Sequence, residues 1–192
     1  MTDNTILQCP ANVRRNMAVN LRKIYVNDVI TQELIDELLY YLYSLVDLDN
    51  DAGTKKPIEI LLNTDGGSVE AGNTLIGYIE YLKHIGYEIT TTNAGKAYSM
   101  GFAIALCGTK RRCYPHARYM FHDIALGTVG KVKEIEETVE DAKALRDDQD
   151  NTIILKYSNL TKEELDGWRD RKIDKYFSAD EALKYKITDE VM

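Results

Sequence analysis

The stretch that most constrains this chain runs from Thr90 to Gly108, TTTNAGKAYSMGFAIALCG. The β-branched run Ile89, Thr90, Thr91 and Thr92 predicts a strand, Asn93 to Ala97 a tight glycine-containing turn, and Met100 to Cys107 a small-residue apolar helix suited to burial. Ser99 falls at the switch from strand to helix. A hydroxyl held there lies beside first-turn amides that have no partner inside the helix, and such amides can stabilise an oxyanion. Serine is equally a good helix N-cap, and this stretch alone leaves both readings open.

A buried helix needs a core to enter. A chain of 192 residues with 44% hydrophobic side chains supplies one for a single domain, with or without a small appendage. The 29% of charged residues is ordinary for a globular protein and argues against disorder or a coiled coil. No apolar run reaches bilayer length, and MTDNTILQCP has no basic region followed by an apolar core, so the expected compartment is the cytoplasm, with no membrane partner. A net charge of −7 speaks against a general nucleic-acid binder despite the local run Lys110, Arg111, Arg112. The three cysteines, Cys9, Cys107 and Cys113, fit a reduced chain. With His116 the last two lack both a fourth ligand and the usual zinc spacing, so no metal is expected.

Residues 1–21 show no clean periodicity and read as an N-terminal arm, extended or docked on a neighbouring subunit, ahead of one domain over 22–192. Arg22 to Val26 reads as a strand. Leu34, Ile35, Leu38, Leu39, Leu42, Leu45 and Val46 carry helical spacing behind Thr31 as N-cap, and Asp47 to Lys56 reads as a loop. Ile58 to Leu62 predicts a strand covered on both faces. The pair Gly66 and Gly67 then precedes a helix from Val69, with neither a dinucleotide fingerprint nor a P-loop lysine. Two short strands are expected at Arg112 to Tyr114 and Arg118 to His122, and a long, acidic, sparsely apolar helix over Val129 to Tyr157. Thr161 with Glu164 and Ser178 with Glu181 are capping boxes, the charged stretch between them spaces Asp166, Asp170 and Asp174 by four, and Ile187 to Met192 is a candidate edge strand. Strand, helix, strand, helix in this order predicts an α/β core with a largely parallel sheet, whose ligand sites gather at the carboxyl ends of strands. Gly66 and Gly67, Ser99 and His122 each end a predicted strand and so face one crevice.

A serine hydroxyl becomes a nucleophile only when a base takes its proton, and the base works best when a carboxylate fixes its tautomer. Of the histidines, His84 ends a helix, His116 sits in a proline-containing turn, and His122 follows the apolar Tyr119, Met120 and Phe121. His122 is therefore the candidate base, with a satisfied structural histidine as the alternative.

The segments NTDGGSVEAG (63–72), GKAYSMG (95–101), RYMFHD (118–123), WRDRKIDKYFSADEA (168–182) and YKITD (185–189) resemble, in order and spacing, the ClpP family, the proteolytic subunits of the Clp protease. The resemblance covers roughly residues 22–192. It implies a crotonase-like α/β spiral core with a long handle helix at Val129 to Tyr157. It also implies Ser99 as nucleophile, His122 as general base, Asp170 of the Arg169–Asp170 pair as orienting carboxylate, and an oxyanion hole from the amides of Gly67 and Met100. The implied assembly is a homo-oligomer of two stacked heptameric rings, a tetradecamer. It would cut unfolded polypeptides delivered by an AAA+ unfoldase such as ClpX or ClpA, with ATP used only by that partner and no cofactor in the chain itself.

Tyr98 stands where a small residue is usual, Asp123 and Ile124 replace Gln-Pro after the histidine, and the glycine-rich head of the handle is reduced to Gly127 and Gly130. These departures mark a divergent member, of the kind a phage or mobile element carries. They also keep two other readings in view: a non-catalytic ring or scaffold subunit, and an acyl-CoA enzyme on the same core that needs no Ser-His-Asp set.

Overall fold

The computed structural model describes residues 11–192. Helix α1 (Ala11–Leu21) leads into strand β1 (Lys23–Val26). Helix α2 (Gln32–Ala52) begins where Thr31 Oγ1 accepts the Leu34 amide and ends at Gly53 in the left-handed region. There follow β2 (Ile58–Thr64), α3 (Val69–His84), β3 (Ile89–Tyr98), α4 (Met100–Leu106), β4 (Lys110–Cys113) and β5 (Arg118–Phe121). Helix α5 (Val132–Gln149) runs through a π-helical turn (Asp150–Ile154) into α6 (Leu155–Tyr157), and α7 (Lys162–Asp170), β6 (Lys175–Phe177), α8 (Ala179–Lys184) and β7 (Glu190–Val191) complete the chain.

The α/β core expected from the alternation of elements is present. Strands β1-β2-β3-β4-β7 lie side by side and all parallel. Strand β3 does more than expected, because the residues read as a turn, Asn93 to Ala97, continue the strand. Its first half pairs with β2 and β4, and its second half, Lys96 to Tyr98, exchanges β4 for β5 while Ala97 stays paired with Thr64 of β2. Asn93 stabilises the changeover, donating from Nδ2 to the Arg118 carbonyl at 2.9 Å and accepting the Gly95 amide at 3.1 Å. A short apolar sequence cannot reveal such a branch, since each half looks like a strand with one set of neighbours.

Other boundaries move for identifiable reasons. Residues 11–21, read as part of an extended arm, form a helix whose Ala18 is buried and whose Arg14 pairs with Glu37 of α2 at 3.0 Å; residues 1–10 lie outside the described residues. Helix α2 continues to Ala52, into the stretch read as a loop, where Asp49 is buried and gripped by Arg22 at 2.7 Å. Strand β2 is not covered on both faces: Ile58, Ile60, Leu62 and Thr64 are buried, and Glu59, Leu61 and Asn63 between them are half-buried.

Buried aliphatic residues of α2, α3 and α4 pack on the sheet. One end of this core is aromatic, with Phe102 of α4 stacked on Phe177 of β6 at 6.0 Å and ringed by Tyr119, Phe121 and, against Phe177, Trp168 and Tyr185. Burial pushes the Tyr119 hydroxyl well above its ordinary range.

The long helix begins at Val132 rather than Val129, with Glu134 accepting the Lys131 amide. It has no buried residue from Val132 to Gln149, and burial resumes at Asp150. An extra residue per turn in a π-helical segment re-aims side chains, and here Asp150, Ile153 and Ile154 point into the core where the helix meets the body.

Candidate active site

Ser99 ends β3 and opens α4 with φ 53° and ψ −119°, a backbone conformation that side chains rarely adopt. Two bonds hold it there: its amide donates to the Met120 carbonyl at 2.9 Å, and its carbonyl accepts the Phe102 amide at 2.9 Å. The hydroxyl does not cap α4. It meets His122 Nε2 at 2.6 Å. The sheet accounts for this meeting, since Tyr98 of β3 is paired with Met120 of β5, so both strands end together and release Ser99 and His122 side by side.

Gly66 crowds the serine from the β2 side, and Gly67 is pressed against Ile30. Gly66 has φ 98°, and a Cβ there would lie 2.6 Å from Ser99 Cβ and 3.0 Å from the Met100 amide nitrogen. Gly67 has φ 151°, and a Cβ would lie 2.3 Å from the Ile30 carbonyl oxygen, to which its neighbour Ser68 donates at 2.8 Å. The exposed Gly67 and the first residue of α4, Met100, line one cavity of about 280 Å³ with Ser99 and His122. First-turn helix amides lack intrahelical acceptors, which leaves the Met100 N–H free to meet an oxygen in that cavity. Phe102, Ala103, Phe121 and Ile154 give the cavity an apolar wall.

Three carboxylates line the same cavity, and each has a cation. Asp65 pairs with Lys96 at 2.5 Å, Asp150 is gripped by Arg169 at 2.6 and 2.7 Å, and Asp123 accepts from Arg169 Nε at 3.1 Å. Burial works against the Arg169 charge, and the hydrogen bonds and charge of Asp150, with those of Asp123 and Asp166, outweigh it and raise its pKa.

Asp170, expected to orient the histidine, does not line this cavity. It is the exposed last residue of α7, where successive side chains point about 100° apart, so that Arg169 rather than Asp170 turns toward the site. The pairing of β5 with β6 draws attention to another carboxylate. Strand β6 runs antiparallel to β5 with Tyr119 opposite Phe177, Met120 opposite Tyr176 and Phe121 opposite Lys175. Extending this register one step past its last pair sets Asp174, which is exposed and like Asp170 lines no wall of the cavity, opposite His122, and residues so opposed have Cβ atoms about 4.5–5.5 Å apart. Nothing in the charged stretch suggested β6, although three residues, Lys175 to Phe177, lead directly into the Ser178 capping box. His84 and His116 are exposed, at the end of α3 and in the turn before β5. Cys107 is fully buried, and burial pushes its thiol up to about 12.

The Clp protease family model matches residues 11–192. The chain belongs to the Clp protease family. Similar Clp proteins include ATP-dependent Clp protease proteolytic subunit 3 of Synechococcus sp. (strain CC9902), 34% identical over 170 residues that cover 87% of this chain and 78% of that one. The ATP-dependent Clp protease proteolytic subunit of Bacteroides fragilis (strain YCH46) is 32% identical over 167 residues, covering 86% and 70%. The family expected from the sequence segments and the mixed α/β fold are thus established, and the chain is a ClpP-type serine peptidase. Among the described residues, no helix of this Clp protein is long and apolar enough to cross a membrane.

Proposed function

We propose that this chain cuts unfolded polypeptides into short peptides by acyl transfer, with Ser99 as nucleophile, His122 as general base and Asp174 as the orienting carboxylate. The 2.6 Å approach of Ser99 Oγ to His122 Nε2 carries the reading. As Oγ attacks the scissile carbonyl, Nε2 takes its proton, and the oxyanion that forms faces the amides of Gly67 and Met100. Collapse of the tetrahedral intermediate expels the amine with the proton held on His122, and a water repeats the sequence to free the acyl group. Asp174 replaces Asp170 in this scheme because a carboxylate across the strand pair from His122 can bond the other ring nitrogen without distorting either strand.

Helix α5 has no fully buried residue within its own chain, which supports a partner helix and hence two heptameric rings joined face to face through it. In this reading an AAA+ unfoldase of the ClpX or ClpA type feeds the chamber and carries out all ATP hydrolysis, the chain uses no cofactor or metal, and the complex works in the cytoplasm. Two departures that favoured a non-catalytic scaffold have structural partners elsewhere: Tyr98 packs edge-on against Tyr176 at 5.7 Å, and Asp123 is engaged by Arg169.

A fluorophosphonate probe is expected to label the wild type and not Ser99→Ala. Asp174→Asn is expected to lower kcat by about 10³- to 10⁴-fold, with Asp170→Asn within about twofold of wild type. The reverse ranking returns the orienting role to Asp170, and intact rings that resist the probe make the chain a scaffold.

A further inference from the structure

Asp123 follows the base directly in sequence, so its carboxylate is a second anionic neighbour for the imidazole. Its negative charge is engaged elsewhere. Asp123 Oδ1 accepts the Ile124 amide of its own loop at 3.0 Å and Arg169 Nε at 3.1 Å. The same guanidinium holds both oxygens of Asp150 with its terminal nitrogens, reaches Asp166 at 3.5 Å, and lies 5.1 Å from the centre of the Phe121 ring. Its side chain is 9% exposed and that of Asp150 is 1% exposed. One planar cation therefore spans the foot of α5, the end of α7 and the residue beside the base. A lysine, with a single point charge, has no equivalent fork.

We propose that Arg169 is a positioning residue that holds the Asp123 carboxylate off the His122 imidazole and fastens the loop carrying the base to the foot of α5. The proposal rests on His122 acting as base. The charged groups around His122 are Asp123 on its own loop, Asp174 by register from β6, Arg169 and Asp166 from α7, Asp150 and Arg146 from the foot of α5, and Asp65 with Lys96 from the β2 and β3 side. Without Arg169 the Asp123 charge is left uncompensated beside the imidazole. A nearby anion favours the protonated ring, which cannot accept the serine proton.

The readout is the pH dependence of fluorophosphonate labelling at Ser99 in the full chain. Removing Arg169 alone strands the buried Asp150 charge, so the comparison uses the Asp150→Asn background. D150N/R169Q is expected to move the acid limb upward by about 0.5–1 pH unit relative to D150N, which slows labelling below the limb by about 3- to 10-fold. Adding Asp123→Asn to that pair is expected to return the limb to its D150N position. A loss due only to structural damage moves no limb and is not rescued by a third substitution. A limb that does not shift, or a shift that persists in D150N/R169Q/D123N, overturns the proposal. Asp123→Asn alone, at an exposed residue, gives an independent check. With the clamp intact it is expected to move the limb by less than about 0.3 unit, and a downward shift of about 0.5–1 unit shows the carboxylate was acting on the ring all along and refutes the clamp. A wild-type chain that the probe never labels refutes the reading of the site itself, whereas a labelled chain with an immovable limb refutes only the role of Arg169.

Discussion

The tightest test of the site is one methyl group added at Gly66. The alanine Cβ would lie 2.6 Å from Ser99 Cβ, 2.7 Å from the Tyr98 carbonyl oxygen and 3.0 Å from the Met100 nitrogen, all fixed by β3 or by the start of α4. Opening the shortest contact to the 3.4 Å of ordinary packing takes a movement of roughly 0.8 Å. The movement falls on the nucleophile and on a candidate oxyanion donor together. Misplacement of reacting groups by about 1 Å costs on the order of 100-fold in rate, so Gly66→Ala is expected to lower kcat/KM and the fluorophosphonate labelling rate by about that factor. The φ of 98° adds strain of about 1–3 kcal/mol, partly offset by about 0.4–1 kcal/mol from a stiffer unfolded chain. With the crowding, a net loss of about 1–3 kcal/mol is expected, or a fall in Tm of about 2–12 °C by differential scanning fluorimetry. Gly77→Ala is the control, because a Cβ there meets nothing within 4 Å and alanine is the better helix former, so Tm should hold or rise. A Gly66→Ala chain that labels at the wild-type rate and melts within 1 °C of it, by roughly the precision of such scans, refutes the packing argument.

The strain at Ser99 itself predicts that Ser99→Gly and Ser99→Ala are both inactive but that the glycine variant is more stable by about 1 kcal/mol in urea titration; equal stabilities mean the φ of 53° carries no strain. Trp168 packs on Phe121 at 5.8 Å and Phe177 at 5.9 Å, so Trp168→Ala should cost about 3–5 kcal/mol, and a loss under about 1 kcal/mol shows the aromatic end of the core to be loosely packed. The Asp189 carboxyl is raised by burial but lowered further by its hydrogen bonds to Arg111, leaving it below its ordinary range. A lowered folded-state pKa gives stability that is full above the unfolded value near 3.9 and is lost as pH falls through the folded one. Asp189→Asn should therefore lower Tm at neutral pH, with the gap to wild type closing below about pH 4, and a gap independent of pH contradicts the pairing.

Much of this molecule was legible because its signals were local. Thr31, Thr161 and Ser178 each accept the amide three residues on, and the helices behind them start there. Ser99 and His122 were legible because each terminates a predicted strand and parallel strands deliver their ends to one crevice. Asp170 was expected as the orienting group from its place in the Arg169–Asp170 pair, whereas the case for Asp174 depends on the pairing of Lys175 with Phe121, which no local spacing reveals. The branch of β3 and the π turn at Asp150 escaped notice for the same reason: both are set by partners distant along the chain, Arg118 for Asn93 and Arg169 for Asp150. The Asp123 substitution was visible as a charge beside the base, but the cation that answers it lies 46 residues away.

The foot of α5 has a mechanical consequence. Eighteen residues make a rod about 27 Å long, and a tilt of 10° about its base swings the free tip by about 5 Å. Gln149, the last residue of that rod, touches Met100 Sδ at 3.4 Å, and Asp150 just beyond it is bolted to the guanidinium that reaches Asp123. In the proposed reaction the base of the rod is thus joined by direct contact to Met100, which follows the nucleophile, and through one guanidinium to Asp123, which follows the base.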